Sequence, residues 1–209
     1  MALRPRPGCD DVSRAGAGTA TPTSLCEASW RRRRYRHVAD RKRLVELKAR
    51  YEDIGKARAL LHASERVGVY RQTDTYFALG ERRLKMREVE GSATAQLVYY
   101  ERPDRPGAKE SEVLLSLVPD AATLKEMLTR TLGVQVVVRK RREIYRHEGV
   151  QVHLDEVEGL GRFLEFEMAV EDAAEAIERG HANLAAMRRL FDIPDEDLVA
   201  SSYSDLLAD

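Results

Sequence analysis

A chain of 209 residues has room for one domain with a sizeable core, or one domain and a tail. Its 35 Lys and Arg balance 35 Asp and Glu, so its net charge gives no reason to expect nucleic acid or an anionic membrane as partner. No apolar run approaches the roughly 20 residues that span a bilayer, and the 33% charged residues suit a polar cavity as well as a polar surface.

Residues 1–38 have turn and linker chemistry without apolar periodicity, so a disordered basic leader is expected ahead of a domain spanning 39–209. The Arg31-Arg-Arg-Arg34 run admits a nucleic-acid or targeting role beside the plainer one of a solvated tail. Cys9 and Cys26 both fall in this leader, form neither a disulfide framework nor a zinc site, and leave the cytoplasm as the expected compartment.

Strand signals begin at 44–50, and a helix is predicted over 52–63, with Asp53 near its start. Residues 67–79 form the next strand, with Tyr70, Gln72, Asp74 and Tyr76 on one face. Two more, 82–89 and 94–102, flank the turn at Gly91-Ser92, and 112–118 follows a loop marked by Pro103, Pro106 and Gly107. Asp120 caps a helix that Gly133 stops. Strands 134–145, 150–157 and 162–170 are joined by turns at Glu148-Gly149 and at 159–161. Asp172 starts a long amphipathic helix, and a short one closes the chain. The fold class is α+β: an eight-stranded antiparallel barrel, whose closure removes unpaired edges, with helices packed outside.

The strands share a pattern. In Arg162-Phe-Leu-Glu-Phe-Glu-Met168, Phe163, Glu165 and Glu167 alternate with Leu164, Phe166 and Met168, so two carboxylates lie about 7 Å apart on one face. The same even spacing gives Glu46, Lys48 and Arg50; Lys85 and Arg87; Lys140 and Arg142; His153 and Asp155. A sheet rolled around a charged interior accounts for this; a solvated outer face is the alternative. The inward cations would be Lys48, Arg50, Lys85, Arg87, Arg102, Lys140 and Arg142, against the carboxylates Glu46, Asp155, Glu165 and Glu167. Such an excess calls for an anion, and Arg and Lys in number suit phosphate oxygens. The carboxylates would repel phosphate unless a hard cation, Mg2+ or Mn2+, lies between. This is a metal-assisted polyphosphate site; spacing alone leaves structural cross-strand ion pairs open. On the first reading, removing one cation such as Arg87 should leave the unliganded protein as stable or more so.

The stretches Val45-Glu-Leu-Lys-Ala-Arg50, Gln72-Thr-Asp-Thr-Tyr-Phe77, Leu84-Lys-Met-Arg-Glu88, Leu97-Val-Tyr-Tyr-Glu-Arg102, Val138-Arg-Lys-Arg-Arg142, Leu154-Asp155 and Gly161-Arg-Phe-Leu-Glu-Phe-Glu167 resemble, in order, the motifs of the CYTH superfamily of triphosphate tunnel metalloenzymes. The class IV adenylate cyclase-like and thiamine triphosphatase-like branch is the most similar. The resemblance implies that Lys48, Arg50, Lys85, Arg87, Arg102, Lys140 and Arg142 grip the triphosphate. It gives catalytic roles to Glu46, Lys48, Glu165 and Glu167, and metal ligation to Glu46, Glu165 and Glu167, helped by Asp155. Two departures stand out: Leu44 occupies the first carboxylate of the family's Glu-x-Glu-x-Lys motif, and Arg36-His37-Val38 stands where the cyclases have His-Phe. The implied activity is metal-dependent hydrolysis of a triphosphate such as ATP, thiamine triphosphate or inorganic triphosphate. Cyclisation of ATP, or binding without turnover, is the alternative, and a homodimer is an admissible assembly.

Overall fold

The structure, a computed structural model, describes residues 40–80 and 82–208. The expectation for the leader therefore falls outside the described residues. Eight strands, β1 (Asp40–Arg50), β2 (Glu65–Phe77), β3 (Arg83–Val89), β4 (Ala95–Glu101), β5 (Lys109–Val118), β6 (Val134–His147), β7 (Val150–Val157) and β8 (Gly161–Val170), close into a barrel in the order β1-β5-β4-β3-β2-β6-β7-β8. Every strand pair is antiparallel. The expected barrel is thus what forms.

Two connections join strands that are not neighbours, β1 to β2 and β5 to β6, and these are the ones that carry helices α1 (Ile54–Leu60) and α2 (Ala121–Leu132). The other links are short; at the β6–β7 hairpin Glu148 and Gly149 take φ of 49° and 83°, the positive values a tight turn needs. Asp53 caps α1 by accepting from Lys56 N at 2.8 Å, and Asp120 caps α2 by accepting from Thr123 N at 3.2 Å. Helix α3 (Ala174–Leu190) starts two residues after the expected Asp172, which instead pairs with Arg43 at 3.2 Å. A short 3-10 turn, Asp195–Asp197, leads to α4 (Tyr203–Ala208). Among the described residues no helix is long and apolar enough to cross a membrane.

The alternation of the strands sorts their side chains. On the outer face Val45, Leu47, Ala49, Val152, Leu154, Leu164 and Phe166 pack against Ile54 and Ala57 of α1 and Leu184 and Met187 of α3. The sheet and α3 meet at Gly180, where a Cβ would lie 2.9 Å from Val45 Cγ2 and 3.0 Å from Val170 Cγ1. A second cluster sets Phe77, Met86, Ala95 and Val118 under α2. Most of the apolar core therefore lies outside the barrel wall, and apart from a smaller cluster at one end, Tyr76, Val138, Val157 and Phe163, the lumen is left mainly to polar groups.

Candidate active site

Closure brings the charged positions into one register. On β1 and β8, Lys48 stands opposite Glu165 and Glu46 opposite Glu167; on β6 and β7, Arg142 stands opposite Asp155; on β2 and β3, Asp74 stands opposite Arg87 and Tyr76 opposite Lys85. The lumen encloses about 280 Å³. Among the described residues Lys42, Lys48, Lys85, Arg87, Arg102, Lys140 and Arg142 line it, together with Glu46, Glu165 and Glu167. Arg50 shares the alternation but not the cavity: it ends β1, is exposed, and donates to Leu160 O at 3.2 Å.

One side of the lumen is organised on Asp74. This fully buried carboxylate accepts from Arg87 Nε at 2.7 Å, Arg87 Nη2 at 2.8 Å and Lys85 Nζ at 3.1 Å, with Lys140 Nζ at 3.8 Å. Burial pushes its pKa up, but Arg87, Lys85 and Lys140 hold it well below the usual carboxylate range. Lys140 is perturbed in turn: burial, then the Arg142 charge, pulls its pKa down to about 7.

The neighbouring cluster, which Lys140 joins to the first by also standing 3.8 Å from Asp155, is organised on Arg142. It donates to Asp155 through Nε at 2.7 Å and Nη2 at 2.6 Å, and to Glu165 Oε2 at 2.5 Å. Against burial, these contacts hold both carboxylates below their ordinary values. Asp155 also accepts from Tyr203 OH at 2.9 Å, and Lys48 Nζ sits 3.9 Å above the Tyr203 ring. Burial lowers the Lys48 pKa, while the Glu165 charge works against that. Tyr203 belongs to α4, so the C-terminal segment packs into one end of the barrel, beside Tyr76, Val138, Val157 and Phe163. Lys109 ties that segment down by donating to the Val199 and Ala200 carbonyls.

Further ionisable groups are Glu46 on β1, Glu167 on β8, Arg102 just after β4 and His153 on β7. Glu46 is ion-paired with Arg102, whose Nε and Nη2 are buried without a hydrogen-bond partner among the described residues. Burial and the neighbouring Glu165 charge raise the Glu167 pKa. His153, opposite Glu165 on β7, is buried, and burial followed by the Arg142 charge lowers its pKa to about 3, leaving a neutral ring.

A groove of about 960 Å³ on the barrel wall is larger but carries less chemistry. Its Glu88, Glu90, Glu156 and Glu158 each face a cation: Lys125 at 2.6 Å, Arg71 at 3.5 Å, Arg141 at 3.0 Å and Arg139 at 4.0 Å. Each of its carboxylates is answered by a cation of the same wall, whereas the lumen retains buried donors without acceptors among the described residues.

The CYTH domain model matches residues 42–203, which covers the barrel from the third residue of β1 and reaches Tyr203. The chain belongs to the CYTH family. Its sequence is 27% identical over 137 residues to a Methanocaldococcus jannaschii protein named putative adenylate cyclase, covering 64% of this chain and 75% of that one. The PH1012 protein of Pyrococcus horikoshii has a similar structure, with TM-score 0.70 and 26% identity over 78% of this chain and 98% of the other. A protein of Vibrio parahaemolyticus described as a putative adenylate cyclase shares the fold, with TM-score 0.67 and 20% identity over 80% of this chain and 99% of the other. CYTH proteins are a triphosphate-tunnel enzyme family and in general depend on a metal ion.

The lumen of this CYTH domain fits such an ion. Ligand atoms of His153, Glu165 and Glu167 all lie within 4.8 Å of one another, and His153 Nδ1 is buried without a hydrogen-bond partner among the described residues. Of the carboxylates expected to hold metal, Glu165 and Glu167 belong to this group; Glu46 is engaged by Arg102 and Asp155 by Arg142. Sequence reasoning did not assign Asp74, His153, Lys109 or Tyr203 to the site. For Asp74 and His153 the signal was present, since each alternates in step with inward residues of its own strand. Lys109 keeps step with the inward Ser111 and Val113, but the sequence signals start its strand only at 112; Tyr203 lies on no strand and carries no such signal.

Proposed function

We propose that this CYTH domain is a divalent-metal-dependent enzyme that holds a triphosphate in the lumen and cleaves it hydrolytically. The observation that carries this is Arg102, buried with two unsatisfied donor nitrogens in a cavity whose cations outnumber its carboxylates. Buried donors left without acceptors are costly, and a phosphate chain supplies acceptors along its length. Lys48, Lys85, Arg87, Arg102, Lys140 and Arg142 would contact phosphate oxygens, with Arg50 at the rim. As charge builds on the leaving oxygens during in-line attack by water, these fixed cations stabilise it without reorganising. Lys85 and Arg87 reach the ligand already oriented by Asp74, which is how a buried carboxylate serves an anion site. Glu165 and Glu167, with Glu46 and Asp155 behind them, would hold the cation. When bound, it supplies Lewis-acid polarisation and neutralises phosphate charge.

The name of the Methanocaldococcus relative favours a second activity on the same scaffold, cyclisation of ATP with release of pyrophosphate. One experiment separates the two: product analysis with ATP, thiamine triphosphate and inorganic triphosphate, each with Mg2+ and with Mn2+. Phosphate release supports the hydrolase, cyclic AMP the cyclase, and tight binding without product overturns both.

A further inference from the structure

We propose that His153 is a direct ligand of the divalent cation, through Nδ1, and that the site therefore selects a first-row transition ion, Mn2+ over Mg2+. This rests on the metal site of the proposed function and adds a ligand that the alternation of carboxylates does not supply.

The geometry comes from two adjacent strands. His153 pairs in register with Glu165, and Gln151 with Glu167, so the imidazole and both carboxylates project into one part of the lumen. Nε2 lies 3.4 Å from Gln151 Oε1; in the tautomer that donates to this oxygen, Nδ1 is left as a bare lone pair. Nδ1 is buried, has no hydrogen-bond partner among the described residues, and stands 3.8 Å from Glu167 Oε1. That separation is too long for a hydrogen bond and suits a shared ion. Two donors about 2.1 Å from one cation are about 3.0 Å apart at right angles and about 4.2 Å apart in line.

The remaining donors argue the same way. On the adjacent strand β1, opposite Glu167, Glu46 is occupied by Arg102, and Glu165 shares its charge with Arg142. A cation placed here has few free carboxylate oxygens, and the neutral imidazole completes the set. Mg2+ is held through oxygen and keeps its waters, whereas imidazole suits first-row transition ions, and Mn2+ is the one among them that also favours carboxylate ligands. A mixed nitrogen and oxygen set therefore shifts selection away from Mg2+.

The test is pulsed EPR of the full chain loaded with Mn2+ and inorganic triphosphate, with and without 15N-histidine. The expected result is a nitrogen coupling that changes with the label and vanishes in His153→Asn. The substitution puts an amide oxygen near the place of Nδ1, so Mn2+ affinity should fall about tenfold while Mg2+ affinity changes little. If His153→Asn prevents folding, the labelled wild-type spectrum decides by itself. Mn2+ bound without nitrogen coupling, but weakened by Glu167→Gln, overturns the histidine ligand and leaves the metal site standing. Failure of the wild type to bind Mn2+ at all, with triphosphate present, overturns both.

Discussion

Arg142 and Glu143 are neighbours on β6 that face opposite sides of the barrel wall, and each is the centre of a buried ion-pair cluster. Outside, Glu143 is 1% exposed and accepts from Arg58 Nη2 at 2.5 Å, Arg58 Nε at 3.2 Å, Arg141 Nη1 at 2.7 Å and Tyr145 OH at 3.2 Å. The cations around it reach water, with Arg58 and Arg141 side chains 46% and 36% exposed. The carboxylate is saturated and its partners are solvated, so the cluster has nothing left to bind. Inside, Arg142 and its carboxylates are buried together, and around them Arg102, Gln72, Ser111 and His153 keep polar atoms without partners among the described residues. The same residue types brace the fold where one acid is fully satisfied, and form a site where buried groups outnumber their partners.

Four measurements can break or sharpen that contrast. The largest effect is expected at the lumen acid pair: Glu167→Gln keeps shape and removes ligand charge, so turnover should fall by about a thousandfold with little change in thermal unfolding. Excess Mn2+ should recover part of the loss, and triphosphate binding without metal should survive or strengthen. Wild-type turnover in this variant would remove the acidic strand from the chemistry.

On the outer side, Glu143→Gln should cost about 3 kcal/mol of stability and leave triphosphate affinity unchanged. The same carboxylate makes an acid-stability prediction. Hydrogen bonding to Arg58 lowers its pKa from 4.5 to about 2 against the pull of burial. A depressed carboxylate contributes stability above its unfolded pKa and loses it as pH falls through the folded one. Denaturant unfolding should show this loss between pH 4.5 and about 2, and the Gln variant should lack it.

Next in size is Arg87→Ala, which should weaken triphosphate binding about tenfold. Charge repulsion alone predicts an unliganded protein as stable as before, or more so. The structure reverses that expectation, because Arg87 donates two hydrogen bonds to Asp74, and removing it strips a buried carboxylate of its main partner. Adding Asp74→Asn should restore stability without restoring affinity; calorimetry on the two variants reads both quantities. The smallest effect is at the sheet–helix contact. Gly180→Ala improves helix propensity but drives a methyl against Val45 and Val170, so a net loss of about 1 kcal/mol is expected in thermal unfolding.

Much of this was legible along the chain. A strand's period of two is local, so alternation at Glu165 and Glu167, Lys85 and Arg87, or Lys140 and Arg142 sorts charge from grease wherever the strand is placed. Turn chemistry at Gly133 and Glu148-Gly149 then marks where elements stop, and the number of strands asks for closure. Arg50 shows the limit of the rule, since alternation continues to the last residue of β1 while the lumen does not.

What the chain by itself determined is which face of β1, β3 and β8 carries the charge; β6 is charged on both faces and β5 turns Val113 and Leu115 inward. What only the tertiary structure decided is which charges meet. Asp74 becomes an organiser because β3 and β6 flank β2 on either side, and His153 joins Glu165 and Glu167 because β7 and β8 pair in that register. Tyr203 enters the lumen because α4, more than thirty residues beyond β8, folds back into the barrel end, where its hydroxyl reaches Asp155. Ion pairing and ligation act over a few ångströms, whereas neighbouring strands in a closed barrel are set by contacts between residues far apart in sequence. Local pattern therefore names the candidates, and closure selects among them.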